Sequence, residues 1–158
     1  MKIRRYKPGE EIQLMEVFIS SVRENAANYY SQEQLKAWAP NSIDHEEWEN
    51  KMNRINPFVI LDNDIIVGYA DLQLSGYIDH FFVRGGYSGR GIGKQLMNFL
   101  LQKANENEIT ELSSDVSLAA QPFFKKFGFK TILRKKVEIR GVVLENASMK
   151  KNMLINGN

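Results

Sequence analysis

The sequence has no cysteine and only two histidines, His45 and His80. No disulfide, thiolate metal site or cysteine nucleophile is available to it, and two histidines are a poor basis for a metal centre. We therefore expect no metal. It also has few prolines (4) and a formal net charge of only +2. A balance so near zero argues against bulk electrostatic attraction to DNA or RNA, so no nucleic-acid partner is expected, although a local basic pocket for phosphate remains open. Long apolar runs are missing too. Ile65-Ile66-Val67 is among the longest, far short of a bilayer span, so no membrane association is expected. Met1–Tyr6 has no apolar stretch of the kind a secretory signal needs. Together with the missing cysteines this suits a reducing, cytoplasmic setting.

What remains is ordinary for a globular domain: 158 residues, 43% hydrophobic and 25% charged. Neither a repeat nor a Pro/Gly/Ser-rich linker divides the chain. A single domain over 1–152 is expected, with 153–158 as a frayed tail because Asn and Gly end it without an apolar pattern.

Ile3–Tyr6 is predicted as a first strand, broken by Pro8-Gly9. A helix from Glu10 to about Arg23 follows, with Ile12, Met15, Phe18, Ile19 and Val22 as its packed stripe. Ser31 caps a helix over Gln32–Trp38, which Pro40 stops, and Asp44 caps another over His45–Met52. The period then changes. Phe58–Leu61, Ile65–Leu74 and Tyr77–Val83 are predicted as an antiparallel meander turning at Asn63-Asp64 and Ser75-Gly76. A helix from about Gly91 to Glu106 has Ile92, Leu96, Phe99, Leu100 and Lys103 on its packed face. Leu112–Ser117 is a short strand, Ala119–Phe127 a short helix, and Lys130–Ile139 and Val142–Lys150 close the chain around Arg140-Gly141. The order predicts an α/β (α+β mixed) fold, a mixed sheet with helices on both faces. The meander ahead of the glycine helix is at odds with a dinucleotide-binding domain.

The glycine turn Ser88-Gly89-Arg90-Gly91-Ile92-Gly93-Lys94 joins a strand to that helix. Unpartnered amides and the dipole at a helix start make an anion site, and Arg90 and Lys94 add positive charge. A triphosphate-binding loop needs Gly where Ser88 stands and Ser or Thr where Gln95 stands. Taken alone, the turn is either an anion site or a glycine-rich connection without a ligand.

Two blocks bear on this choice. Asp79-His80-Phe81-Phe82-Val83 through Gly93-Lys94-Gln95-Leu96 resembles motif A of the GNAT superfamily of N-acetyltransferases, with Gly91 and Gly93 matching and Ser88 where Gln or Arg is usual. Ala120-Gln121-Pro122-Phe123-Phe124-Lys125-Lys126-Phe127-Gly128-Phe129 resembles the family's Ala-x-x-Phe-Tyr-x-x-x-Gly-Phe. The resemblance implies a GNAT-like, mostly antiparallel sheet of six to seven strands, and acetyl-CoA (coenzyme A) as co-substrate. It implies transfer of an acetyl group to a primary amine of a small molecule or peptide. The pantetheine arm maps to Phe81, Phe82 and Val83, with Ser117 where relatives carry Asn. The pyrophosphate maps to Ser88, Gly89, Arg90, Gly91, Ile92, Gly93 and Lys94.

Phe124 stands where many relatives have the tyrosine that protonates the thiolate. That role does not carry over, so Tyr77, Ser117 and Tyr87 are candidates, and a non-catalytic acyl-CoA-binding domain is the alternative. For the base we favour Asp79, then His80. Strand alternation sends the two to opposite faces, so only one should face the acceptor. The string Tyr29-Tyr30-Ser31-Gln32-Glu33-Gln34-Leu35-Lys36-Ala37-Trp38 resembles a bacterial branch of the family; Tyr30 is the acceptor-side residue it singles out, or else part of a packed aromatic stripe. The final hairpin, with Glu138, Arg140 and Glu145, is placed to close the same pocket, and its edge allows a homodimer.

Overall fold

The computed structural model describes residues 1–154. Its helices form where local chemistry starts them. Ser31 Oγ accepts the Gln34 amide (3.1 Å) while Gln34 Oε1 accepts the Ser31 amide (2.8 Å), a reciprocal cap on α2, Gln32–Trp38. Asp44 Oδ1 accepts the Glu47 amide (2.9 Å) to start α3, His45–Ile55. α3 outruns its predicted end at Met52 because Trp48, Met52 and Ile55 continue one buried stripe, and Asn56 stops it in the left-handed region (φ 42°).

The first helix departs from its predicted stripe. α1, Glu11–Ser20, buries Leu14, Met15, Val17 and Phe18, and leaves Ile12 58% exposed. It then widens into a π-helical turn, Ser21–Asn25. The extra residue per turn rotates the face, so a constant 3.6-residue period cannot follow it.

The strands are β1 (Lys2–Arg5), β2 (Phe58–Asp62), β3 (Ile65–Ala70), β4 (Tyr77–Ile78), β5 (Phe81–Val83), β6 (Glu111–Ser117), β7 (Lys130–Ile139) and β8 (Val142–Asn152); α4 is Ile92–Glu106 and α5 Gln121–Lys126. They form two four-stranded sheets, ordered β1-β2-β3-β5 and β4-β6-β8-β7. Only the β4–β6 pair is parallel. Alternation on β2 and β3 divides the core. Val59, Ile66 and Tyr69 pack towards α1, α2 and α3; Phe58, Ile60, Val67 and Ala70 pack towards α4. On α4 itself the buried face is Ile92, Leu96, Met97, Leu100 and Ala104; Lys103 instead sets its ammonium over the Phe99 ring, 5.4 Å from the centroid.

The expected continuous strand over Tyr77–Val83 is broken at Asp79-His80, and this break positions the site. Asp71, fully buried at the end of β3, accepts the amides of Asp79 (2.8 Å) and His80 (2.7 Å) on a single carboxylate oxygen. Gln73 Nε2 donates to the other oxygen (3.2 Å), and the Asp71 amide donates to His80 O (3.1 Å). β4 therefore pairs with β6 while β5 pairs with β3, and the sheets part between them. Two hydrogen bonds show which way β5 presents its backbone: Asp71 N to His80 O, and Arg84 N to Val67 O (2.8 Å). Antiparallel alternation then turns His80, Phe82 and Arg84 towards β3, and the peptide groups of Phe81 and Val83 towards the gap.

The last strands form the predicted hairpin, with positive φ at both Arg140 (48°) and Gly141 (79°), as a tight mirror-image turn requires. Met153, expected in a frayed tail, is buried instead and its amide donates to Thr110 O (2.9 Å). The tail from 155 lies outside the described residues.

Asp71→Ala removes the acceptor for two buried amides and is expected to destabilise the fold by about 3 kcal/mol, read as a lower urea midpoint. An unchanged midpoint would show that the break does not depend on this carboxylate.

Candidate active site

The glycine turn opens α4. Gly86, Gly89 and Gly91 have φ of 84°, 78° and 77°, values that side chains resist, with open space where a Cβ would point. Gly91 is the N-cap and offers no side-chain bond, so the first amides of a 15-residue helix are left for a ligand. A Cβ at Gly93 would stand 3.3 Å from the Phe123 ring, so glycine lets α5 pack against the start of α4.

A cleft of about 420 Å³ runs from this turn along the open edge of β5. Of the residues expected at a cofactor, Phe81, Phe82, Val83, Ser88, Gly89, Gly91, Ile92, Gly93, Lys94, Ser117 and Phe124 line it. Arg90 does not; its guanidinium lies over the Tyr87 ring, 4.7 Å from the centroid. Phe124 is buried, edge-on to Phe81 (5.7 Å) and Phe129 (5.0 Å), and contributes apolar wall only. Ser21 and Asn25 also line the cleft. Asn25 Nδ2 donates to Val83 O (3.1 Å), so one carbonyl on the open edge already has a partner. No sequence motif marked these residues, because the π turn that brings them to the cleft has no local signature.

A second cavity, about 370 Å³, lies beyond Phe82. Trp38, Phe82 and Ser117 line both spaces, so the two meet there. Asp79 and His80 both line this second cavity, contrary to the alternation expected of them. A broken strand does not alternate across the break. Asp79 Oδ2 pairs with Lys51 Nζ of α3 at 2.5 Å. His80 sits among Phe18 (5.9 Å between centroids), Trp48 (6.1 Å) and Phe82 (5.3 Å), with Nδ1 2.9 Å from the Tyr69 hydroxyl. Burial is the main cause that lowers the His80 pKa, to about 4; Lys51 and Arg54 push the same way and Asp79 opposes them.

Tyr30 lines the second cavity, but its hydroxyl is engaged. It donates to Glu145 O (2.5 Å) and accepts the Leu118 amide (2.9 Å). With Gln34 Nε2 to Val143 O (3.0 Å) and Arg140 Nη1 to Ala37 O (2.8 Å), it ties the β7–β8 hairpin to residues 30–37 across the cavity. Arg140 and Glu145 line that space; Glu138 does not. Among the hydroxyls weighed as proton donors, Ser117 is at the junction. Its Oγ accepts the Ala120 amide (3.2 Å), which leaves its own hydrogen to give. Tyr87 lines the first cleft. Tyr77 lines neither and donates to Asp115 (3.1 Å).

A glycine turn at a helix start, an open strand edge and a second cavity at its end together offer a place for an anion, an edge for an extended ligand and a joined pocket. Comparison with known proteins shows the family. Residues 26–152 match the acetyltransferase (GNAT) domain family, and the chain belongs to that family. It is 35% identical over 150 residues to the uncharacterized N-acetyltransferase YafP of Escherichia coli (strain K12), covering 95% of each chain. It is similar to the crystal structure of a GCN5-related N-acetyltransferase from Rhodopseudomonas palustris (TM-score 0.90, 29% identity, covering 96% of this chain and 94% of that one). A PaiA N-acetyltransferase from Thermoplasma acidophilum, crystallised with coenzyme A, shares the fold (TM-score 0.74, 18% identity, 96% and 98% covered). The protein is an N-acetyltransferase of the GNAT fold. Among the described residues no group of three or more His, Asp or Glu is placed to hold a metal, and no helix is long and apolar enough to cross a membrane.

His80 gives a pH test. Its pKa falls from 6.5 to about 4 on folding, so the folded state binds fewer protons between those values than the unfolded state. Stability present above pH 6.5 is lost as pH falls towards 4, by about 3 kcal/mol from this group. His80→Gln is expected to flatten that part of the curve of melting temperature against pH. The same slope in both proteins would assign it elsewhere.

Proposed function

We propose that the protein moves the acetyl group of acetyl-CoA to the primary amine of a small molecule or peptide by direct attack. The observation that carries this reading is the meeting of the two spaces at Trp38, Phe82 and Ser117. A thioester brought along β5 from the glycine turn reaches that junction from one side, and an amine reaches it from the other.

In the cleft, the Gly91–Lys94 start of α4 receives the pyrophosphate and Lys94 adds a charge-assisted contact. The outward peptide groups of Phe81 and the amide of Val83 pair with the pantetheine arm, while Asn25 holds the Val83 carbonyl. The amine nitrogen attacks the thioester carbon, the carbon–sulfur bond breaks, and the amine loses a proton. Asp79 takes that proton, directly or through one water, with Lys51 holding the carboxylate in place. Phe124 has no proton to give the departing thiolate, so it is protonated by Ser117 or by water.

Release of free thiol from acetyl-CoA in the presence of an amine panel tests the reading. Asp79→Asn is expected to lower kcat about 100-fold while coenzyme A affinity stays near wild type. Lys94→Ala should do the reverse, raising the Kd for coenzyme A about tenfold with the acceptor KM unchanged. A fully active Asp79→Asn enzyme would sink the assignment of the base.

A further inference from the structure

One ring nitrogen of His80 is already committed, and that settles what the other can do. The Tyr69 hydroxyl lies 2.9 Å from Nδ1 and, among the described residues, has no other hydrogen-bond partner. Tyr69 is fully buried. If Nδ1 carried the hydrogen it would donate to the phenol oxygen, and the phenol's own hydrogen would be stranded in a dry interior at a cost of about 1–3 kcal/mol. If the phenol donates to the Nδ1 lone pair, both groups are satisfied. The ring's single hydrogen then sits on Nε2, an assignment made from the network. Burial, with Asp71 and Asp79 nearby, keeps the phenol protonated and able to donate. The rings of Phe18, Trp48 and Phe82 pack around the imidazole and hold its orientation. Nε2 has no partner among the described residues, and His80 lines the acceptor cavity but not the cofactor cleft.

We infer that His80 is not a base but a neutral Nε2–H donor that reads an oxygen on the acceptor molecule. The inference rests on the acyl-transfer reading above and names the acceptor class for it. An N–H facing the acceptor needs a lone pair to meet. The amine cannot supply it, because its lone pair must go to the thioester carbon. The partner assigned to it is a second group on the same molecule, because His80 lines the second cavity and not the cleft beside the glycine turn. Asp79 stands next to His80 and faces the same space, so a carboxylate for the amine and a donor for an oxygen lie side by side. A small fragment that offers both groups side by side is an amine next to a carbonyl. An α-amino amide or the amino terminus of a peptide has this arrangement. The aromatic walls supplied by Phe18, Trp38 and Trp48 suit an apolar side chain on the carbon between them.

Phenylalaninamide and 2-phenylethylamine share a body and an amine and differ in the carboxamide. With acetyl-CoA saturating and rates expressed per unprotonated amine, the wild-type kcat/KM is expected to favour phenylalaninamide about 100-fold. His80→Phe should bring the ratio near one. His80→Gln, which keeps an N–H donor, should retain part of it. An acetyl-CoA-dependent rise in melting temperature checks that each variant folds and binds cofactor. Independently, ¹⁵N NMR of the wild type should show His80 as the Nε2–H tautomer, and Tyr69→Phe should mix the tautomers. Equal rates with the two amines in the wild type, or an Nδ1–H tautomer, would overturn the inference and leave the transfer reading standing. Transfer to no amine at all, with acetyl-CoA bound, would overturn both.

Discussion

The site depends on one buried carboxylate. Asp71 takes two successive backbone amides, those of Asp79 and His80, on the same oxygen. Ladder partners are thereby replaced by a side chain at the point where β4 should run on into β5. A carboxylate this buried is expensive to keep charged, and burial raises its pKa, but the hydrogen bonds from His80, Gln73 and Asp79 pull the other way. The outcome is a fixed break rather than a frayed one. β4 follows β6, β5 follows β3, and the chain between them turns two side chains into the same cavity.

Both parts of the proposed chemistry follow from that break. Between the parted sheets the peptide groups of Phe81 and Val83 lack strand partners, which suits them to an extended ligand with amides of its own. At the break, Asp79 and His80 stop alternating and become neighbours on one wall. Their surroundings then give them different characters. Asp79 meets the Lys51 ammonium, whereas His80 is packed among aromatic rings and a phenol, and burial favours its neutral ring. Two adjacent side chains are thus proposed for different roles for reasons of environment.

The two spaces are closed by different means. The cleft proposed for the cofactor uses backbone: left-handed glycines, the start of α4 and the edge of β5. The cavity proposed for the acceptor uses side chains from distant segments, with Tyr30, Gln34 and Arg140 joining the 30–37 stretch to the hairpin across it. Backbone recognition tolerates variation in side chains, while a cavity assembled from α1, α2, α3 and the hairpin changes with each of them. That difference explains why the motif at the glycine turn bears on the first space and is silent on the second.

What the sequence determined by itself was local: the caps at Ser31 and Asp44, the period-two strands, the Arg140-Gly141 turn and the glycine turn into α4. Each rests on interactions spanning a few residues, so spacing alone reveals them. The lining of the cleft beside the glycine turn was legible for the same reason, with Arg90 the exception because it lies over the Tyr87 ring. Only the tertiary structure decided the rest. The π turn that delivers Ser21 and Asn25, the break that turns Asp79 and His80 to one side, and the pairing of Lys51 with Asp79 and Tyr69 with His80 all join residues remote in the chain or override a local period. A buried polar group is satisfied by whatever the fold brings within hydrogen-bond reach, and no spacing rule in the sequence records that partner.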